Sequence, residues 1–387
     1  MNLPEGAPKS LEFFAGIGLA RAGLEEAGLP VQWSNDISSK KAALFNSNFG
    51  KSDSHVYRVG DVGRLAAEEF PPASDLAWAS FPCTDLSLAG GRDGLRGSSS
   101  SAFWSFVKIL ARMGSSKPRV LAIENVTAFV SSRSGKDITA AIRALNGLGY
   151  SVDVLNIDAR RFIPQSRPRL FLVAELGNQP DAETDELTRS PLRPPWLDVI
   201  FDNEELRTHQ APLPNPPELL DEGFTALSLL ASDGTEEWWS EERVAAFWES
   251  LSVVQSVRMR ALLDLPKVSR RTAFRRMRLG KPTWEVRAGD VAGCLRTSSG
   301  GSSRQAVVEA AFGELRVRWM TPREYAHLMG APDYKFGKTP TNDVLTGFGD
   351  AVCVPVVQWL AENYIRPRLA GLARMDPVLS SSFDQKN

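Results

Sequence analysis

Short apolar runs, glycine turns and stretches with apolar residues every three or four positions alternate through the first half of the chain. Ser10-Leu11-Glu12-Phe13-Phe14 reads as a strand that runs straight into Ala15-Gly16-Ile17-Gly18. Leu19 to Ala27 then has helical spacing, with Gly28 as its stop. Val31 to Asp36 is a second strand ending in an acid, and Val59-Gly60-Asp61 marks a third strand end. Leu76-Ala77-Trp78-Ala79 leads into Ser80-Phe81-Pro82-Cys83-Thr84-Asp85-Leu86-Ser87, and a polar, glycine-rich segment follows from Ala89 to Ser101. Phe103 to Met113 and Ile138 to Leu148 are predicted helices. Pro118 to Ile123, Ser151 to Ile157 and Leu170 to Ala174 are predicted strands, the first ending in Glu124-Asn125-Val126. Strands alternating with helices predict an α/β fold, a doubly wound and mostly parallel sheet.

The pattern changes at about Glu175. Asn178 to Pro217 holds eight prolines and reads as an irregular connection. Leu219 to Leu263 looks mostly helical and offers Trp238, Trp239 and Trp248 as core residues. Thr321 and Pro322 suit the cap and first position of a short helix to Met329. Gly347-Phe348-Gly349-Asp350-Ala351-Val352 reads as a second glycine turn, opening a helix from about Val354 to Tyr364, and a polar tail follows Gly371.

Composition narrows the class. A chain of 387 residues holds two domains, or one large domain with an insertion. No apolar run approaches the roughly 20 residues of a membrane span. The start, Met1-Asn2-Leu3-Pro4-Glu5-Gly6, lacks the basic and apolar regions of a secretory signal. Three scattered cysteines (Cys83, Cys294, Cys353) make no disulfide framework and fit a reducing cytoplasm. Three separate histidines argue against zinc. The net charge of −1 hides an asymmetry: 16 acidic against 3 basic residues from Asn178 to Glu242, and 10 basic against 2 acidic from Pro266 to Arg304. The basic block is either a polyanion-binding surface or a solvated face paired with the acidic one. Its end, Arg296 to Arg304, alternates hydroxyls and glycines in a manner suited to phosphate.

Candidate chemistry follows the strand ends. A strand, glycine turn and helix, with Asp36 lying 20 residues after Gly16, suit a ribose-bearing ligand. Arg21 stands where a dinucleotide fingerprint has its third glycine. A ligand with one ribose and no pyrophosphate, such as S-adenosylmethionine, fits better. Asp61 either accepts from an adenine amino group or caps the segment from Val62 to Phe70. Cys83 is either a reactive thiol at a cleft lip or an ordinary small buried residue. Glu124, after a fully apolar strand, is either a proton-holding acid raised by desolvation or a cap or ion-pair partner. Arg167 and Arg169 alternate and would point to one side if the strand begins that early, suiting a phosphate or a polarised carbonyl. A thiol, an acid and a methyl donor at one sheet edge can methylate cytosine: thiolate addition at C6 with a proton on N3 makes C5 nucleophilic. The target base must first leave the duplex.

The motifs that carry this chemistry occur together and in order: Phe14-Ala15-Gly16-Ile17-Gly18, Asp36, Gly60-Asp61-Val62, Pro82-Cys83 with Ser87, Glu124-Asn125-Val126, Gln165-Ser166-Arg167-Pro168-Arg169, Thr321-Pro322-Arg323-Glu324 and Gly349-Asp350-Ala351-Val352. In this the chain resembles the bacterial DNA (cytosine-5)-methyltransferases over nearly its whole length, except for about 176–315. The resemblance implies a Rossmann-like methyltransferase sheet, with residues 1–180 and 340–387 catalytic, and a smaller target-recognition domain at 181–339. It implies S-adenosyl-L-methionine as donor, no metal, double-stranded DNA as substrate and no membrane. It implies a monomer in the bacterial cytoplasm, acting either beside a cognate restriction endonuclease or as a solitary methylase. It implies Cys83 as nucleophile, Glu124 as the N3 partner, and Arg167 and Arg169 at the flipped base, with Arg167 the direct contact; Ser87, beside Cys83, is a further implied catalytic residue. Phe14, Gly16, Gly18, Asp36, Ile37, Asp61, Val62, Pro82 and Ala351 are the implied cofactor contacts. One departure stands out: the family's final turn usually has Asn where this chain has Asp350. RNA methylation is the nearest rival, but the Cys-Phe-Thr signature of that branch is missing beyond the arginine motif. Intact Cys83, Glu124 and the arginine pair disfavour a non-catalytic DNA-binding regulator. The missing third glycine disfavours a nicotinamide-dependent enzyme.

Overall fold

The computed structural model describes residues 8–71, 74–82, 101–177, 190–278, 280–297 and 304–375. Cys83, Ser87, most of the Ala89–Ser101 segment, residues 298–303 and the tail from 376 lie outside the described residues. The chain builds a seven-stranded sheet from β1 (Ser10–Phe13), β2 (Val31–Asp36), β3 (Val56–Val59), β4 (Leu76–Ala79), β5 (Val120–Val126), β6 (Tyr150–Asp158) and β7 (Pro168–Leu176). Their spatial order is β3-β2-β1-β4-β5-β7-β6. β1 to β5 run parallel, and β7 is antiparallel to both β5 and β6. The chain order reverses between β1 and β4, where an open α/β sheet gathers ligands at strand C-termini.

Apart from the exposed edge strand β3, the sheet is buried on both faces, which explains its nearly continuous apolar strands. Leu76 and Trp78 of β4, with Val120 and Ala122 of β5, join the core on one face. Their neighbours Ala77, Ala79, Leu121 and Ile123 join the core on the other. This is the strand period of two. The first face is covered by α1 (Leu19–Glu26) and the C-terminal helices Thr341–Asp350 and Val354–Leu360; the second by α3 (Ser101–Met113) and the helix Lys136–Gly147. The helix α2 (Ser39–Phe49), capped by the Ser38 side chain, was not expected from the sequence.

The first part of the basic block forms two strands, β8 (Ser269–Arg278) and β9 (Lys281–Val286), joined by β10 (Ala306–Ala311) and β11 (Glu314–Trp319) in a four-stranded antiparallel sheet. Its core contains Phe247, Met259, Ala273, Trp284, Val308 and Val317, with Trp239 and Trp248 packed against it. Trp238 instead lies under the guanidinium of Arg316, 4.0 Å from its ring centre. Leu192, Ala211, Phe224 and Tyr325 pack into the large core. The proline-rich connection is anchored there by Arg193 on Asp153 and by His209 between Glu175 and Tyr364. The helix Pro322–Leu328 has the expected cap. Thr321 and Glu324 form a reciprocal capping box, and Glu324 also pairs with the fully buried Arg318 at 2.7 Å.

Two expectations change. Gly347 and Gly349 do not open a helix; they lie in the last turn of Thr341–Asp350, and the break comes at residues 351–353. The stretch Thr341–Gly371 also meets the length and composition of a membrane span, yet 67% of its most apolar window is buried in the core. Its hydrophobicity is that of a central packing element.

Candidate active site

The strand ends of β1, β2, β4 and β5 open onto one cleft of about 700 Å³. Phe14, Gly16, Asp36, Ile37, Asp61, Val62, Pro82, Glu124, Arg167, Arg169 and Ala351 all line it, as do Lys41, Asn125, Thr297 and Asp350. At one end, the β1–α1 turn is built on left-handed backbone at Phe14 (φ 57°) and Gly16 (φ 57°). That conformation is unusual for Phe and raises the local energy by about 1–2 kcal/mol. The Gly16 amide donates to Asp36 Oδ2 at 2.9 Å, and the Ser38 amide to Oδ1 at 2.8 Å. Each carboxylate oxygen keeps a second lone pair for a ligand hydroxyl. Asp61 caps the short turn Val62–Arg64 through the Gly63 amide, not a segment reaching Phe70, and it also lines the cleft.

Gly18 departs from expectation. It does not line the cleft. A Cβ there would come within 2.6 Å of the rings of Phe45 and Phe49, so this glycine admits α2 against α1. Glu12, on β1, forms part of the cleft floor. Its carboxyl accepts from the Arg21 amide and the Ser34 hydroxyl, while burial pushes its pKa up to about 8.

At the other end stands Glu124, third from the end of β5. Burial raises its pKa, against the opposing pull of Arg169 and then Arg167. The antiparallel register pairs Glu124 with Phe171 and Val126 with Arg169, which sets Arg169 diagonal to Glu124 on one face. Arg169 Nε meets Glu124 Oε1 at 3.0 Å. Ser80 also donates to Glu124, and Asn125 Nδ2 reaches the Phe81 carbonyl at 3.2 Å. These contacts tie the end of β5 to the segment that leads through Pro82 to Cys83.

Arg167 does something else. It precedes the first residue of β7, and its guanidinium donates to the carbonyls of Leu295 (2.9 Å), Gly349 (3.1 Å) and Ala351 (2.6 Å). Gln165 reinforces the same junction, accepting from the Leu295 amide and donating to the Leu328 carbonyl. Cys294 sits beside both arginines, 3.3 Å from Arg167 Nη1 and 3.7 Å from Arg169 Nη2. Among the described residues, no group of three or more His, Cys, Asp or Glu side chains could hold a metal.

The family model of the C-5 cytosine-specific DNA methylases matches residues 9–366. The chain belongs to that family. Type II methyltransferase M.HhaI of Haemophilus parahaemolyticus is 25% identical over 354 residues, which are 91% of this chain and 93% of the relative. Type II methyltransferase M.Bsp6I of Bacillus sp. (strain RFL6) is 25% identical over 362 residues, 92% of this chain and 98% of the relative. The fold matches the solved structures of S. pombe Dnmt2 methyltransferase (TM-score 0.56, 17% identity, 93% of this chain and 99% of that one) and Entamoeba histolytica methyltransferase EhMeth (0.54, 15%, 92% and 97%). The protein is thus a cytosine-C5 DNA methyltransferase on a Rossmann-like sheet. Within this methylase, sequence reasoning missed Lys41, Ser80, Asn125 and Cys294. Asn125 lay inside the Glu124-Asn125-Val126 motif, whereas Lys41 and Cys294 carry no local signal; only the fold brings Lys41 to the cleft and Cys294 beside Arg167 and Arg169.

Proposed function

We propose that this methylase transfers the methyl group of S-adenosyl-L-methionine to C5 of a cytosine flipped out of double-stranded DNA, through a covalent bond from Cys83 Sγ to C6. The observation that carries the reading is the shared cleft. A buried carboxyl with its own guanidinium, Glu124 and Arg169, faces a cleft whose far end offers Asp36, Gly16 and Asp61. The donor fits that far end. The free lone pairs of Asp36 suit a ribose diol, the left-handed turn at Gly16 leaves room for close approach, and Asp61 can accept from an adenine amino group. When bound, the donor supplies an electrophilic methyl group.

The protein's residues do the rest. The Cys83 thiolate adds to C6, and Glu124 gives its proton to N3, so electrons move toward C5 instead of remaining in the aromatic ring. Burial suits Glu124 to this work by keeping its carboxyl protonated further up the pH scale. Arg169 stabilises charge developing on the exocyclic oxygen. We assign this contact to Arg169 rather than Arg167, whose donors hold three backbone carbonyls. After methyl transfer, loss of the C5 proton and expulsion of the thiolate, with the N3 proton returning to Glu124, restore the ring. We also propose that the DNA-reading unit is narrower than 181–339. It comprises the four-stranded sheet and the helices Glu241–Glu249 and Val253–Leu263 that pack on it.

Tritium from labelled S-adenosylmethionine should enter duplex DNA, and Cys83→Ala should abolish the transfer. A duplex carrying 5-fluorocytosine at the recognised site should remain bonded to residue 83. Label entering only tRNA, or an adduct at another residue, would overturn the reading.

A further inference from the structure

A second cavity, of about 520 Å³, opens where the catalytic sheet meets the four-stranded sheet, and it shares no residue with the active-site cleft. Arginines converge on it from separate parts of the chain. Arg160 stands in the short turn Ala159–Arg161 that follows β6. β5 and β6 are both antiparallel to β7, so they run the same way, and this turn lies at the sheet edge that carries Glu124. Arg258 comes from the helix Val253–Leu263, which is tied to β9 by the bond from the Val286 amide to Gln255 Oε1 at 2.9 Å. Arg276 lies on β8. Arg287 follows β9, and its amide donates to the Thr272 carbonyl, which continues the β8–β9 ladder. Strand alternation then sets Phe274, Arg276, Glu285 and Arg287 on one face, with Ala273, Trp284 and Val286 in the core behind it.

The charges around this cavity do not balance. Four guanidinium side chains line it against two carboxylates, Asp221 and Glu285. Arg160 pairs with Asp221, and Arg276 meets Glu285 at 3.3 Å. Among the described residues, Arg258 and Arg287 have no carboxylate in reach. Other arginines of the four-stranded sheet are matched: Arg270 and Arg316 by Glu309, Arg271 by Asp290 and Arg318 by Glu324. Like charges gathered round a concave, partly apolar space repel one another and raise the local potential, which an anion relieves. Phosphate fits, because a guanidinium fork donates to two of its oxygens at once. A duplex that delivers a base to Glu124 brings phosphates to this edge: it carries one charge per about 1.7 Å of its axis, and β6 lies two strand spacings, roughly 10 Å, from β5.

We propose that this cavity seats a backbone phosphate of the DNA, held by Arg258 and Arg287, with Arg276 and Arg160 completing the positive wall. A phosphate looks the same whatever base it carries, so the contact adds affinity and positions the duplex without reading sequence. Arg160 belongs to the catalytic sheet and the other three to the reading unit, so a phosphate seated here also holds the two against each other. The assignment rests on the DNA reading given above and extends it to Arg258, Arg276 and Arg287, which lie in the stretch between the family's motifs.

Fluorescence anisotropy of the full chain with two labelled duplexes of unrelated sequence, across about 50–200 mM salt, tests this. Arg258→Gln and Arg287→Gln should each lower the slope of log affinity against log salt by about one, and weaken both duplexes alike by about five-fold at about 0.1 M salt. Arg258→Lys and Arg287→Lys should keep most of the slope, which separates a lost charge from a lost fold. Arg260→Gln removes the same charge from the same helix outside the cavity and should leave affinity within about two-fold. Unchanged slopes, an effect of Arg260→Gln equal to that of Arg258→Gln, or weakening confined to one duplex overturns the site and leaves the DNA reading standing. So does calorimetry in which Arg258→Gln and Arg287→Gln abolish ATP binding with duplex binding intact, since the cavity would then serve a free nucleotide. Wild-type protein that binds neither duplex overturns both.

Discussion

Replacing each arginine of the Gln165–Arg169 segment separates support from chemistry. Arg167 is almost fully buried and donates to three carbonyls from two distant segments, residues 295 and 349–351. Hydrogen bonds from a charged donor are worth about 1.5–3 kcal/mol each, and carbonyls left buried without partners add to the loss. The sum of the three is a ceiling, because water enters and the backbone relaxes. Arg167→Ala should still destabilise the fold by about 3–6 kcal/mol. Arg169 is different. Its loss strands the Glu124 carboxylate, but that group can neutralise itself by taking a proton, and burial already inclines it to do so. Arg169→Met should therefore unfold at a higher urea concentration than Arg167→Ala while losing most methyl transfer. Because the folded-state pKa of Glu124 would rise further above its already raised wild-type value, the stability gap between Arg169→Met and wild type should widen as pH rises past the wild-type folded pKa. Urea unfolding followed by tryptophan fluorescence at pH 6 and pH 8, alongside tritium transfer, reads all of this. An Arg167→Ala protein as stable as wild type, or an Arg169→Met protein less stable than Arg167→Ala, would refute the division of labour.

Three other outcomes follow from the same structure. Gly23 and Gly147 both lie in helices, where alanine is ordinarily favoured by about 1 kcal/mol. A Cβ on Gly23 would lie 2.7 Å from Val357 Cβ and the Val354 carbonyl, whereas one on Gly147 meets nothing within 4 Å. Overpacking costs about 1–3 kcal/mol, so Gly23→Ala should lower the melting temperature and Gly147→Ala should raise it; a rise in both would show that α1 can move off its neighbour. Iodoacetamide on the native protein should modify Cys294 before Cys353, as read by peptide mass spectrometry. Burial raises the Cys294 thiol, but Arg167 and Arg169 bring it below its ordinary pKa, whereas burial pushes Cys353 up to about 12. Glu12 titrates near 8 in the folded chain against an ordinary 4.5, so the unfolded chain ionises first and rising pH costs stability between those values. Glu12→Gln should then gain on wild type from about pH 4.5 to 8 and hold a constant advantage above; a gap that does not change with pH would mean that Glu12 is ionised in the fold.

The sheet was legible because each strand of the first half carries its own signal. Val120 to Ile123 is apolar without a break because both faces are covered, and the glycine turn and acids at residues 16, 36 and 61 mark strand ends without any tertiary knowledge. The basic block was not legible as strands. Arg270, Arg271, Arg275 and Arg276 give β8 a polar reading, and pairing with β9 and β10 holds it in place. The Thr341–Asp350 helix was hidden for a related reason. Gly347 and Gly349 signal a turn, and only their neighbours explain them: a Cβ at 347 would lie 2.7 Å from Ile17, and one at 349 would strike Arg296. Local propensity lost to close packing at both sites.

The site shows the same limit more sharply, because a charge does not declare its partner in sequence. Arg167 and Arg169 are two residues apart and alternate, so a strand reading puts them on one face with equivalent roles. The strand, however, begins at Pro168. That one-residue boundary leaves Arg169 in register with β5, diagonal to Glu124, and frees Arg167 to reach carbonyls more than 120 positions away. Asp350 is the counterpart. Alone it is an unbalanced carboxylate at a ligand cleft, and its meaning changes once Lys41, 309 positions earlier, is seen at 2.8 Å. Motif residues identify the reaction because the chemistry fixes their type. The residues that hold and balance them are set by which distant segments the fold brings together, so an ion pair, a buried thiol or a wedged glycine becomes readable only after the chain has closed.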